Sequence, residues 1–176
     1  AKCANLCVES YSLSKEATKW KTEVINGKEV TTETDGLTHS CSLISCNVAN
    51  ILNDNALLKR ACTNAVRMLD TSIDLGEMPL LEAKNSSELL RNIGIGVVGL
   101  ADWMAYNKVS YDTEEGRDLA EALSERITYY CYEASIELAK EKGSYLGFNQ
   151  ANYDKLFGKT PAQLTKMSKN GFDWVE

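Results

Sequence analysis

Proline is scarce in this sequence: Pro79 and Pro161 are the only two among 176 residues. So few breakers leave long stretches open to helix and argue against a turn-rich all-β design. Long apolar runs are missing as well, and none approaches the roughly 20 residues that a membrane-spanning helix needs. Membrane insertion is set aside. Basic charge is in deficit, with 19 Lys and Arg against 25 Asp and Glu for a formal charge of −6, so no basic face is offered to a phosphate backbone and nucleic acid is not expected as a partner. There is one histidine, His39. Neither an initial methionine nor a basic-then-apolar leader is present: the sequence opens on Ala1 and stops at Glu176, just after Phe172 and Trp174, which reads as a piece of something longer.

Hydrophobic residues make up 44% and charged residues 25%, an ordinary globular balance with enough chain for a real core. Six cysteines would suit a disulfide scaffold, but such scaffolds are short, loop-rich and secreted, so a reducing, cytoplasmic setting fits better. There, clustered thiols point to catalysis or metal. Four of the six fall in two pairs, Cys3 with Cys7 and Cys41 with Cys46. Cys62 and Cys131 sit in helical patterns and read as small core residues.

The first quarter is strand-like and the rest helical. Leu6 and Val8 alternate with polar neighbours, giving a loop that passes into a strand over residues 4–10. Trp20–Ile25 and Lys28–Thr32 flank Asn26-Gly27, a type I′ turn signal, and predict a hairpin with polar side chains on both faces that stands out from the body. Residues 39–48 form the next strand candidate. From about Asp54 the period becomes helical, with Leu57, Ala61, Ala65, Met68 or Leu69, and Ile73 on one face and Gly76 just beyond. Asn85 with Glu88 predicts a capping box opening a second helix toward Arg91, and Asp112 with Glu115 a third. Leu119, Leu123, Ile127, Tyr130, Ala134 and Leu138 form the stripe of that third helix, closed by Gly143. Thr160-Pro161-Ala162-Gln163 starts another.

Asn5-Leu6-Cys7-Val8-Glu9 puts an amide, a thiol and a carboxylate at alternate positions, hence on one face of an extended chain. An amide can orient a hydroxyl, a carboxylate can take its proton, and a thiol can serve as nucleophile or hydrogen-atom donor. Accidental neighbours on an ordinary strand are the plainer reading. Cys3, Cys7, His39, Cys41 and Cys46 could instead converge on zinc, although neither pair has the nearby glycine of a zinc knuckle. Gly94-Ile95-Gly96-Val97-Val98-Gly99 matches the dinucleotide fingerprint letter for letter, but it follows a helical stretch, Ser87–Arg91. Small residues that let a helix pack closely are the better reading. Tyr129, Tyr130 and Tyr132 invite a radical-transfer reading, with packing as the default.

Taken in order, Asn5–Glu9, Cys41-Ser42-Leu43 with Asn47, Arg67-Met68-Leu69-Asp70 with Ile73-Asp74, Arg91–Leu100, and Ala134–Gly143 with Gly147-Phe148 resemble the catalytic large subunit of ribonucleotide reductase across nearly the whole chain. The resemblance implies an α/β fold, part of a ten-stranded α/β barrel whose finger loop carries a radical cysteine. Residues 1–50 would supply finger loop, hairpin insertion and strand, and residues 51–176 mainly helices. By the same resemblance, a thiyl radical on Cys7 abstracts the 3′ hydrogen of a ribonucleoside diphosphate, Glu9 takes the 3′-hydroxyl proton, and Asn5 holds the substrate as the 2′-hydroxyl leaves as water. Cys41 would be one of two thiols that end as a redox-active disulfide, its partner lying outside this chain.

The resemblance further implies other segments of the catalytic subunit as partners, a radical-generating small subunit, and a thioredoxin or glutaredoxin-type reductant. No cofactor is expected within this segment. The radical is expected from a di-iron or dimanganese small subunit, in preference to cobalamin. Taken alone, the chain is expected to be inactive. The Trp20–Thr34 hairpin looks like an insertion relative to the family, and Cys46 stands where an apolar residue is usual. The alternatives are a zinc-stabilised interaction module and a catalytically silent relative that only binds a partner.

Overall fold

The computed structural model describes residues 13–148 and 159–174; the strand expected over residues 4–10 lies outside them. The described residues form two compact units. One takes the residues up to Leu43 with Leu69–Gly94 and Ser144–Phe148, and the other takes Ile44–Met68, Ile95–Gly143 and the residues from 159 onward.

In the first unit, β1 (Trp20–Ile25) and β2 (Lys28–Thr34) pair antiparallel. Asn26 and Gly27 join them with φ of 51° and 75°, the two positive values that a type I′ turn demands and that Asn and Gly tolerate best. Register runs from Ile25↔Lys28 to Trp20↔Thr34 with an irregularity at Lys21/Thr22. Nearly every side chain of the hairpin is exposed, as its polar faces predict. The base is pinned by Asp35, which accepts from the Thr18 and Lys19 amides at 2.8 Å each, and from Thr18 Oγ1 and Lys15 Nζ at 2.7 Å each. The Lys15 ammonium, with these further donors, holds the Asp35 carboxyl well below the usual carboxylate range.

Between β3 (Ser42–Asn47) and β4 (Ile93–Val98) the chain runs through α1 (Val48–Ile51), α2 (Asn55–Leu75) and α3 (Leu81–Leu90). β3 and β4 form a two-stranded sheet. Gly96 lies beside Ser45, and Gly99 beside Asn47 and Ala49. The neighbours advance in the same direction, so the pair is parallel, and the helices form the crossover such a pair requires.

Several expectations are corrected here. The run from Gly94 to Gly99 is not a packing helix: it is β4 and the residue capping the next helix. Its glycines do serve close approach, but of strand to strand. The strand expected over residues 39–48 is shorter, and Val48 already begins α1. On α2 the expected Ala65, Leu69 and Ile73 are buried, with Leu69 and not Met68 facing inward, whereas nearer the start the buried residues are Leu58 and Cys62, one beyond the expected Leu57 and Ala61. Asn85 caps nothing. It lies inside α3, which begins after Leu80 without a side-chain cap, and its Nδ2 donates to Thr34 O at 2.9 Å. Asp112 is likewise not the cap of the long helix.

The second unit has its core at Val48, Leu58, Cys62, Trp103, Met104, Leu123 and Ile127, drawn from α1, α2, α4 (Leu100–Tyr106) and α5 (Glu114–Lys142). Trp103 is buried, with its indole N–H donating to Leu52 O at 2.8 Å, so the large ring is enclosed without stranding its polar atom. Thr113 caps α5, accepting from the Gly116 amide at 3.0 Å. Acidic Glu114 and Glu115 open the helix and Lys140 and Lys142 close it, each suited to its end of the helix dipole. Gly143 ends it at φ 86°.

Lys59 Nζ meets Glu133 at 2.8 Å, and Arg67 pairs with Glu141 further along both helices, so α2 and α5 run parallel. α6 (Pro161–Met167) opens on a capping box between Thr160 and Gln163, as predicted. Beyond it, Glu125 of α5 accepts from the Lys169 amide at 3.0 Å, the Asn170 amide at 3.2 Å and Asn170 Nδ2 at 2.6 Å. Burial opposes its charge, and hydrogen bonds from Ser168, Asn170, Trp174 and the Lys169 amide outweigh that, so its pKa is lowered. Among the described residues, no helix is long and apolar enough to cross a membrane.

Candidate functional site

Of the residues that the family resemblance assigns to the reduction, Cys41 is the one within the described segments. Asn5, Cys7 and Glu9 lie outside them, as does Cys3. Cys41 immediately precedes β3 and is half-buried. Its Sγ is 3.8 Å from Ser42 O, a weak thiol contact. The neighbouring strand presents Gly94, where a Cβ would sit 3.6 Å from the Cys41 sulfur and 2.5 Å from Leu43 Cδ2. A side chain at Gly94 would therefore crowd the start of β3. At the far end of the same strand Asn47 lies beside Gly99, where a Cβ would sit 2.9 Å from Asn47 Oδ1. Both glycines follow Arg91-Asn92, so the motif that resembles a dinucleotide fingerprint works as the slim edge that seats β4 against β3.

One arrangement escaped sequence reasoning. Arg91 follows α3 in the left-handed region, at φ 47° and ψ 47°. Its Nη2 contacts Asp70 Oδ1 at 2.5 Å and Asp74 Oδ1 at 2.8 Å. Burial works against its charge, and the two carboxylates outweigh that, raising its pKa. Two ordered motifs, the one holding Asp70 and Asp74 and the one opening at Arg91, are thus clasped together by an ion-pair network. The signal was the recurrence of a cation after one helix and two acids one turn apart on another, at a separation that local patterns do not report.

The remaining described cysteines behave as core. Cys46 and Cys62 are buried and Cys131 is half-buried; burial pushes the Cys46 thiol up. Both His39 ring nitrogens are out of solvent without a hydrogen-bond partner. Among the described residues, no three His, Cys, Asp or Glu side chains gather as metal ligands, so His39, Cys41 and Cys46 do not converge as a trio; Cys3 and Cys7 of the expected zinc set lie outside the described residues. Tyr129, Tyr130 and Tyr132 pack with Phe172 and Trp174. The Tyr129 and Phe172 rings are stacked, with centroids 4.1 Å apart and an interplanar angle of 3°, which is the packing role.

One parallel strand pair joined by a helical crossover, with a long helix after each strand, defines an α/β segment. The family model for the ribonucleotide reductase barrel domain matches residues 1–176, and the chain belongs to that family. It is 38% identical over 162 residues to a ribonucleoside-diphosphate reductase subunit alpha from Synechocystis, covering 89% of this chain and 18% of the relative. A subunit of the same name from Chlamydia muridarum is 33% identical over 96% of this chain and 14% of the relative. A vitamin B12-dependent ribonucleoside-diphosphate reductase from Mycobacterium tuberculosis is 35% identical over 75% of this chain and 20% of the relative. The chain spans a fifth or less of the length of these relatives. No closed barrel is formed among the described residues.

Proposed function

We propose that this chain supplies the radical-bearing part of a ribonucleotide reductase catalytic subunit, which reduces ribonucleoside diphosphates to 2′-deoxyribonucleotides for DNA synthesis. The observation that carries the reading is the match of the barrel-domain family over residues 1–176. In this reading the chain is one piece of a larger or split subunit whose complete barrel has ten strands, with residues 1–50 providing finger loop, hairpin insertion and strand.

A thiyl radical on Cys7 takes the 3′ hydrogen atom of the substrate, while Glu9 accepts the 3′-hydroxyl proton. Asn5 hydrogen-bonds the sugar as the protonated 2′-hydroxyl departs as water. Cys41 and a second thiol outside this chain then give up two electrons and become a disulfide, which a thioredoxin or glutaredoxin-type dithiol reopens. The position of Cys41 just before β3, beside Gly94, supports this role: its sulfur is half-buried, partly open as a thiol that must meet a sugar and a second thiol requires. The radical comes from a di-iron or dimanganese small subunit. The B12-dependent relative makes cobalamin the competing source.

The test is ribonucleoside diphosphate turnover by the assembled catalytic subunit containing this chain, supplied with a dithiol and either the small subunit or adenosylcobalamin. Turnover is expected with the small subunit, and Cys7→Ser abolishes it while leaving assembly intact. Turnover retained in that variant overturns the assignment of Cys7, and an unsubstituted assembly that stays inactive with both radical sources overturns the function.

A further inference from the structure

Cys41 is approached from two directions. Just before it, Ser40 Oγ donates to Met78 Sδ in a long contact of 4.0 Å, and the Cys41 sulfur itself lies beside Gly94, where a Cβ would stand 3.6 Å from it. Met78 follows the end of α2, four residues after Asp74, and Gly94 lies in β4, three residues after Arg91. The neighbours of the thiol thus sit on the two stretches of chain that the Arg91 clasp ties together. All of these residues belong to the first unit.

The clasp does more than close a helix. Arg91 holds a left-handed backbone, at φ 47° and ψ 47°, which crowds a side chain and which glycine or asparagine adopts more readily after a helix. An arginine stands there all the same, and it uses its whole fork. Nε and Nη2 meet Asp70 Oδ1 at 2.8 and 2.5 Å, and Nη2 also donates to Asp70 O at 3.0 Å and to Asp74 Oδ1 at 2.8 Å. Asp70 and Asp74 are one turn apart on α2, so the guanidinium fixes the entry to β4 both along that helix and across from it. A lysine ammonium, a point charge on a flexible stem, would fix less. The Arg91 and Asp70 side chains are 23% and 12% exposed, so water competes little for these contacts.

We propose that Arg91 is a positioning residue for the Cys41 thiol: by tying the end of α2 to the entry of β4, it sets where Met78 and Gly94 stand and so where the Cys41 sulfur stands when the two thiols give up their electrons. This role rests on the reading of Cys41 as one of the two reducing thiols. Arg91 acts through Gly94 and Met78 and takes no part in the chemistry itself. Arg91→Lys keeps the charge and loses the fork, which frees the strand entry to shift. A misplacement of about 1 Å is enough to slow the step of a reacting group by as much as about a hundredfold.

The assembled catalytic subunit containing this chain is fully reduced, freed of dithiol, and given ribonucleoside diphosphate and its radical source for a single turnover quenched over time. Two quantities are read: the rate at which Cys41 enters a disulfide, and the substrate concentration that gives half the maximal rate. In Arg91→Lys the rate is expected to fall about tenfold or more. The half-maximal concentration stays within about twofold, the split of an interaction that matters after binding. Asp74→Asn shows the same split to a smaller degree. Ile127→Val trims the core of the second unit, where Ile127 is 6% exposed; it lowers the urea midpoint and leaves both quantities unchanged. A Cys41 rate unaltered in Arg91→Lys overturns the proposal, and so does a fall that Ile127→Val reproduces.

A second arm needs no turnover. In the resting reduced subunit, iodoacetamide is expected to modify Cys41 several-fold faster in Arg91→Lys than in the unsubstituted protein, because loosening the clasp lets the half-buried sulfur open. An unchanged alkylation rate overturns the positioning role. An unsubstituted subunit that is inactive with either radical source overturns the reductase reading instead, and the alkylation rates then still decide whether Arg91 places the thiol.

Discussion

Arg91 grips Asp70 with two nitrogens, Nε at 2.8 Å and Nη2 at 2.5 Å from the same carboxylate oxygen, and Nη2 also donates to the Asp70 carbonyl at 3.0 Å. Asp70 is only 8% exposed, and removing one partner of a shielded pair leaves the other to bear its desolvation. Arg91→Ala is expected to destabilise by about 3 kcal/mol, read as a fall in the urea midpoint. Arg91→Lys keeps the charge and loses the fork, so it recovers only part of that loss.

The glycines of the β4 region are not equivalent. At Gly94 a Cβ would meet the far end of Leu43 at 2.5 Å, but Leu43 is 56% exposed and can swing away. At Gly99 φ is +76° and the Cβ would meet Ala49 Cβ at 2.9 Å and the Ala49 amide nitrogen at 3.2 Å. Gly99→Ala is expected to cost about 2 kcal/mol from strain and crowding together, and Gly94→Ala less than about 1 kcal/mol. Parallel denaturant titrations check the order, and an equal loss at both sites contradicts it.

Asp35 gives the hairpin base a pH signature. Its carboxyl is more acidic folded than unfolded, so its contribution is present above the ordinary aspartate range, near 4, and is lost as pH falls through the lower folded value. Amide protection at Thr18 and Lys19 is expected to persist at pH 4 and to fade only on stronger acidification. Asp35→Asn should weaken it at every pH, as followed by hydrogen exchange.

The groove between α2 and α5 has charged rungs at Lys59–Glu133 and Arg67–Glu141, with Thr63 and Glu137 lining it between them. Glu137 already pairs with Lys140 at 2.6 Å, and Thr63→Lys should add a second cation near it, across the groove. The gain is expected to be modest, about 0.5 kcal/mol at low salt, and to vanish in high salt. A gain unchanged by salt would point to packing instead.

Elements whose signals lie within a few residues were legible beforehand. Asn26-Gly27 marks its own turn, Thr160 and Gln163 complete their own box, and Gly143 ends α5 where the stripe stops. β4 was not legible, because its glycines give no alternation of apolar and polar side chains. Its strand character comes from β3 alongside, through Ser45 and Asn47. The start of α3 was misplaced because Asn85 has the chemistry of a cap yet bonds Thr34 O, a partner far away in sequence. The clasp of Arg91 on Asp70 was invisible for the same reason. The assignments of Asn5, Cys7 and Glu9 rest on the order of motifs along the chain, which identifies a family without any geometry.

The Asn26–Gly27 turn closes a hairpin whose side chains are almost all turned to water and whose base is fastened separately by Asp35. It is consequently a natural splice point: a fluorophore-bearing or affinity peptide inserted there would report on assembly of the subunit while every core residue keeps its neighbours.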